Sequence, residues 1–235
     1  MNREFRVEEL VVEWRENRRR KQTVGFLFQP NGRLILDTPP RVDRSVLKDM
    51  VKENLRWIRL RLNKVREEAK VNPPLRIANG ARIPYLGERL QVQWIESDNR
   101  SVLRNGKVLE VYAPSTRHVR AAVVDWYKAR ASRLFCRQID AFQHLPWLAA
   151  RLRSWRHQFM TSQWGSCSVD GDLSFNTHLV KVPEHLVEYV VLHEMCHLKV
   201  HNHGPRFYSL MREYMPDWEA RRRELNGYLP VLFGD

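Results

Sequence analysis

One short run carries most of the chemistry this sequence can do: His193-Glu194-Met195-Cys196-His197. Residues four apart on a helix share a face, so the two imidazoles can be presented to one ion. Glu194, one step on, reaches a water beside the ion rather than the ion itself. Zinc hydrolysis needs this division of labour, with neutral imidazoles as ligands and a carboxylate that accepts the proton of the activated water. With nine His among 235 residues, a shuffled chain would contain H-E-x-x-H only about 0.02 times. A metal centre is the better explanation of the spacing.

Catalytic zinc keeps three protein ligands and an open position. His203 stands six residues after His197, the offset of the metzincin pattern, although Val200 occupies the place of that pattern's turn glycine. Asn202 or Gly204 can make the turn instead, since both tolerate left-handed backbone. His201 is a rival if the helix continues, and Glu213, Glu219 or Glu224 could supply a carboxylate ligand. Spacing leaves these alternatives open.

Further motifs bear on the same chemistry. Trp164-Gly165-Ser166-Cys167 can place backbone N–H groups or a thiol beside a metal, or form a tight turn under an aromatic anchor. Tyr189, Arg206 and Tyr208 are candidates to stabilise an oxyanion. Asp172 to Asn176 can serve as an edge strand for an extended peptide, or as an ordinary interior strand. Cys196 is expected to be packing, and His178 and His185 to be solvent-exposed. Met211 and Met215 follow a helical pattern with Phe207 and Leu210, which argues against a metzincin Met-turn.

Taken together, W-G-S-C at 164–167, Asn176, Y-V-V-L-H-E-M-C-H-L at 189–198, Asn202-His203, Phe207 and Pro216-Asp217 resemble the YgjP-like metallopeptidase family. That family is similar to SprT-type and WLM-type zinc peptidases, in which H-G-P-x-F recurs, here at His203 to Phe207. Weaker likenesses extend over most of the chain, through Pro39-Pro40, Trp57-Ile58 and Ile83-Pro84-Tyr85-Leu86-Gly87. The resemblance implies one Zn²⁺ per chain on His193, His197 and His203, Glu194 as general base, and a polypeptide substrate. Trp164, Asn176 and Tyr208 are the substrate-contact candidates. The family usually has a basic residue just before W-G-S-C, where this chain has Gln163.

Elements must position these groups, and their punctuation is readable. Val24 to Gln29 and Arg33 to Asp37 flank Pro30-Asn31-Gly32, a strong hairpin signal within β structure over 5–37. From Asp43 one helix is predicted, because Leu47, Val51, Leu55, Ile58, Leu62 and Val65 recur at steps of three and four. Val71-Asn72-Pro73-Pro74 stops it. A second β stretch covers 75–113, with turns at Asn79-Gly80, Leu86-Gly87 and Asn105-Gly106. Pro114-Ser115-Thr116 reads as a linker that caps a helix to about Phe142. A strand over 154–160, a Gly/Ser loop at 164–167 and a strand over 172–176 follow. Pro183 opens a helix to about Val200. No internal repeat is evident. The expected fold is α+β, a β-rich region with one long helix over 1–113 and a helical, zincin-like catalytic domain with a short sheet over 114–235.

Composition limits the alternatives. Hydrophobic residues make up 43% and charged residues 29%, an ordinary globular balance. No apolar run approaches the roughly 20 residues of a membrane span, and the charged N-terminus does not lead into a signal peptide. Three widely spaced cysteines argue against a disulfide framework and for a reducing compartment, the cytoplasm. The net charge of +13 and pI of about 10.1 admit an anionic partner. Arg56, Arg59, Arg61, Lys64, Arg66 and Lys70 crowd one helix; Arg117, Arg120, Lys128, Arg130, Arg133 and Arg137 crowd another. The competing reading is therefore a nucleic-acid-associated protein whose zinc site is structural or acts only on DNA-bound proteins.

Overall fold

Alternation decides the first sheet. In Leu10-Val11-Val12-Glu13-Trp14 every second residue is apolar and inward, as a half-buried strand requires. The computed structural model describes residues 3–18, 20, 22–29, 33–71, 77–160 and 163–228, leaving aside the side chains at 64 and 68–71. The fold is mixed α+β, as expected. The chain divides into two compact units, 1–74 and 75–235.

In the first unit β1 (Arg3–Val7), β2 (Leu10–Glu16), β3 (Gly25–Phe28) and β4 (Leu34–Thr38) form a sheet in the order β1-β2-β4-β3. The outer pairs are antiparallel and the central β2/β4 pair is parallel. The hairpin expected between β3 and β4 is present, with Phe28 opposite Leu34. Its turn, Pro30-Asn31-Gly32, lies outside the described residues. Phe5, Val7, Val12, Leu34 and Leu36 form one buried cluster with Leu47, Val51, Ile58 and Leu62 from the helices that follow. Those helices are α1 (Arg44–Glu53) and α2 (Leu55–Val71). The single helix read from the sequence is thus interrupted at Asn54, whose Nδ2 donates to the Met50 carbonyl at 2.9 Å and closes α1. Asp43 caps its start by accepting from the Ser45 N–H. Asp37 is nearly buried at the end of β4 and accepts from Arg15, Asn17 and Arg20 at 3.0, 2.8 and 2.8 Å. Burial alone would raise its pKa, but these donors outweigh burial and hold it at about 2.

The second unit begins with β5 (Arg82–Tyr85), β6 (Glu88–Glu96), β7 (Ser101–Asn105) and β8 (Val108–Ala113). Their order is β5-β6-β8-β7, again two antiparallel hairpins joined by a parallel central pair. The likeness reaches the residues. Leu10-x-Val12-x-Trp14 on β2 is matched by Leu90-x-Val92-x-Trp94 on β6. Val12 and Trp14 face Leu34 and Leu36; Val92 and Trp94 face Leu109 and Val111. A proline follows each central partner strand, at Pro39 and Pro114. The chain therefore contains a repeated four-stranded sheet, where no internal repeat was expected.

The division at 74/75 differs from the expected boundary at 113/114. Leu109 and Val111 belong to the same core as Val119, Val123 and Tyr127 of α3 (Val119–Ala141), so the second sheet packs with the helices that follow it. After α4 (Leu148–Arg151) come β9 (Ser154–Gln158), β10 (Gly165–Cys167) and β11 (Asp172–Asn176), a sheet in the order β10-β11-β9. The W-G-S-C segment, expected as a loop, is mostly this short edge strand. Asp172 to Asn176 is the interior strand, and the edges are β10 and β9. Three helices complete the unit: α5 (Glu184–His197), α6 (Pro205–Tyr214) and α7 (Trp218–Asn226). Among the described residues no helix is long and apolar enough to cross a membrane.

Candidate metal centre

Helix α5 carries the H-E-x-x-H run through the core. Leu186, Val187, Val190, Val191, Leu192, Met195 and Cys196 are all buried on it, so packing rather than intrinsic propensity holds three β-branched valines in a helix. Neighbours fix its position. Trp147 Nε1 donates to the Met195 carbonyl at 2.9 Å, and the Leu86 N–H at the β5–β6 turn donates to Val180 just before the helix. Arg221 on α7 donates to the His185 carbonyl and to Glu188.

The helix ends at His197, and the chain turns back through residues 198–204 into α6. That turn brings His203 to the two histidines of α5. The Nε2 atoms lie 3.2 Å apart for His193 and His197, and 3.0 Å apart for each pair with His203. His201 remains exposed and outside this group, and Glu213, Glu219 and Glu224 are outside it too. Glu219 instead pairs with Arg212 and Glu224 with His185. His197 donates from Nδ1 to the Val200 carbonyl at 3.1 Å, a tautomer that turns its Nε2 lone pair toward the cluster.

The electrostatics favour neutral ligands. Burial pushes the His193 pKa down to about 3, with smaller contributions from His197, His203 and Arg222. Burial also lowers His197. Glu194 is 6% exposed, and burial raises its carboxyl to about 8. Three imidazole nitrogens converging with a buried carboxylate on the same helix can hold one metal ion.

Two residues shape this cluster without contributing a ligand. Phe207, fully buried on α6, stacks on His197 at 4.5 Å and meets His193 and His203 edge-on at 4.9 and 4.8 Å. Gly165 on β10 lies so close to Glu194 that a Cβ there would come within 2.7 Å of its Cγ and Oε1. In the sequence Gly165 stands within W-G-S-C and Phe207 within H-G-P-x-F, and neither spacing signals these contacts.

The other candidates separate clearly. Tyr208 is at the site, near-parallel to His203 at 6.3 Å and stacked on Trp218 at 5.0 Å. Tyr189 meets His193 edge-on at 5.9 Å. Arg206 is exposed on α6. Asn176 is 0% exposed and cannot face a substrate. Its amide bonds the Met160 and Gln163 carbonyls and the Met160 and His178 N–H groups, pinning the segment before β10. Trp164 packs against the core, and its carbonyl accepts from the Asn176 N–H. Cys167 is half-buried, its thiol pushed up to about 11 by burial, Glu194 and Asp172, and it is not part of the metal-competent group. His178, expected in solvent, is 3% exposed against Phe159. Cys196 is buried and His185 exposed, as expected.

A third histidine brought back by the turn that follows an H-E-x-x-H helix, with the glutamate under an edge strand, is the arrangement of a metallopeptidase centre. A family model described as YgjP-like, metallopeptidase domain, matches residues 22–228. The chain belongs to the YgjP-like metallopeptidase family. No curated protein matches it.

Proposed function

We propose that this protein is a zinc-dependent peptidase that holds one Zn²⁺ on His193, His197 and His203 and uses Glu194 as general base. The convergence of the three Nε2 atoms carries the proposal. Tetrahedral zinc, about 2.0–2.1 Å from each imidazole, needs nitrogens about 3.3 Å apart, close to the 3.0–3.2 Å found here. Neutral nitrogen donors also suit zinc better than magnesium or calcium, which take oxygen.

Bound zinc would polarise a carbonyl and acidify a water. Glu194 accepts the proton of the attacking water at its carboxylate and returns it to the leaving amine. A carboxyl near pH 8 without the ion is shifted down by a neighbouring dication, which favours the accepting form. Gly165 gives this carboxylate room, and Phe207 keeps the imidazoles from turning away. An extended polypeptide is the substrate class that fits β10, whose outer edge is unpaired among the described residues and passes over Glu194.

The deciding experiment is Glu194→Gln. The variant keeps shape and polarity but accepts no proton, so zinc content and folding should stay as in the wild type. Hydrolysis of an unfolded protein should fall by at least the roughly 10²–10⁴-fold a positioned base contributes. Unchanged turnover with zinc bound would make the site a structural clamp and end the peptidase reading.

A further inference from the structure

The β9–β11–β10 sheet has a second face that the metal centre does not use. Leu173 and Phe175 of β11 are buried on the α5 side, with Cys167 and Gly165 beside them on β10. The alternate residues turn away and are polar. Ser166, Ser174 and Arg156 stand in one row across the three strands, and Asp172 and Ser154 are opposite one another in the next. With Ser168 and Cys167 they line a recess of about 340 Å³. Ser174 forms its floor at 8% exposure, and its hydroxyl accepts from Arg156 Nε at 3.1 Å.

The lining holds one cation, Arg156, and one anion, Asp172. Asp172 is taken by Arg153, which reaches both carboxylate oxygens, and by the Ser154 hydroxyl at 2.7 Å. Arg156 makes no ion pair within 4 Å among the described residues, its charge acting on Asp172 only from further off, and its terminal N–H groups are left for a ligand. A guanidinium, serine hydroxyls and a volume of this size match a carboxylate side chain.

Position selects the source of that carboxylate. A polypeptide added to the edge of β10 alternates its side chains between the two faces. The residue opposite Ser166 shares the face of the recess, while its neighbours turn toward α5 and the metal centre. We propose that this recess is a specificity subsite that receives an acidic side chain of the polypeptide laid along β10. The inference rests on the peptidase reading above and names the substrate it prefers.

The test uses the full-length zinc-loaded protein and peptides in which one Glu is moved, position by position, through an otherwise neutral sequence, each paired with its Gln counterpart. Cleavage should favour Glu over Gln by about tenfold or more in kcat/KM at one position. Arg156→Gln should bring that ratio to about one, and Arg156→Lys should largely restore it. The same peptides, fluorescently labelled, are titrated into Glu194→Gln, where binding is read without turnover. Arg156-dependent binding of the Glu peptide, with no cleavage by wild type, would keep the subsite and discard the hydrolytic reading. Cleavage that ignores Glu against Gln would do the reverse. A single-stranded oligonucleotide bound through Arg156, with no preference among peptides, would assign the recess to phosphate groups and overturn the proposal.

Discussion

At the scale of single residues, the metal centre starts from a pair of ligands that helical geometry alone sets side by side. His193 and His197 are one helical turn apart, and no tertiary contact is needed to put them on one face. His203 was harder to read from the sequence, because its place depends on where α5 stops, and the candidates His201 and His203 differ by only two positions. The chain leaves the helix after His197 and the Val200 carbonyl binds His197 Nδ1, which commits His203 and not His201 to the cluster. His203→Ala should therefore weaken zinc binding by more than the roughly 10–100-fold caused by losing a residue that merely supports a ligand, whereas His201→Ala should leave it near wild type. Competition with a chromophoric chelator measures both. Equal affinities in the two variants would remove His203 from the site. Asn176 illustrates the opposite limit. Its place among the residues that carry the family resemblance made it a substrate candidate, but its partners at 160 and 163 consume the amide, and nothing in the sequence announces them.

At the scale of elements, helices and hairpins were readable where turn chemistry was explicit, as at Asn105-Gly106, where Gly106 has φ +58°. β10 was not. Gly165 and Ser166 have low strand propensity, and the strand exists because β11, five residues downstream, pairs with it. The same glycine sets a testable limit on the site. Gly165→Ala adds a methyl group that cannot coexist with the Glu194 side chain where it stands. Zinc content should be retained, since no ligand moves, while turnover should drop roughly 10²-fold, the usual result of displacing a catalytic group by about 1 Å. An alanine variant with full activity would show that Glu194 does not work from this position.

At the scale of the whole molecule, the α+β class was readable, whereas the compact units divide at 74/75 and not at 113/114. Pro114-Ser115-Thr116 looks like a linker because its residues break structure, yet apolar packing carries the core straight across it. Domain limits follow such shared burial, which local composition does not report. The first unit has its own electrostatic fastening in Asp37. A carboxyl whose pKa is depressed from 3.8 to about 2 stabilises the fold on the order of 2 kcal/mol. That contribution is complete above pH 3.8 and disappears as the pH falls through about 2. Asp37→Asn should accordingly lose about 2 kcal/mol near neutrality, with the gap to wild type closing between pH 4 and pH 2. Amide exchange within β2 and β4 as a function of pH reads this directly, and an unchanged exchange rate at pH 7 would contradict it.

The recurrence of one sheet plan in both units separates what a sheet needs from what a reaction needs. Strand order, the parallel centre and a proline at the exit are common to both. Residues 1–74 contain neither histidine nor cysteine, so the three converging histidines belong wholly to the second unit. Leu-x-Val-x-Trp stands in both, because closing a sheet over a core makes the same demand in each.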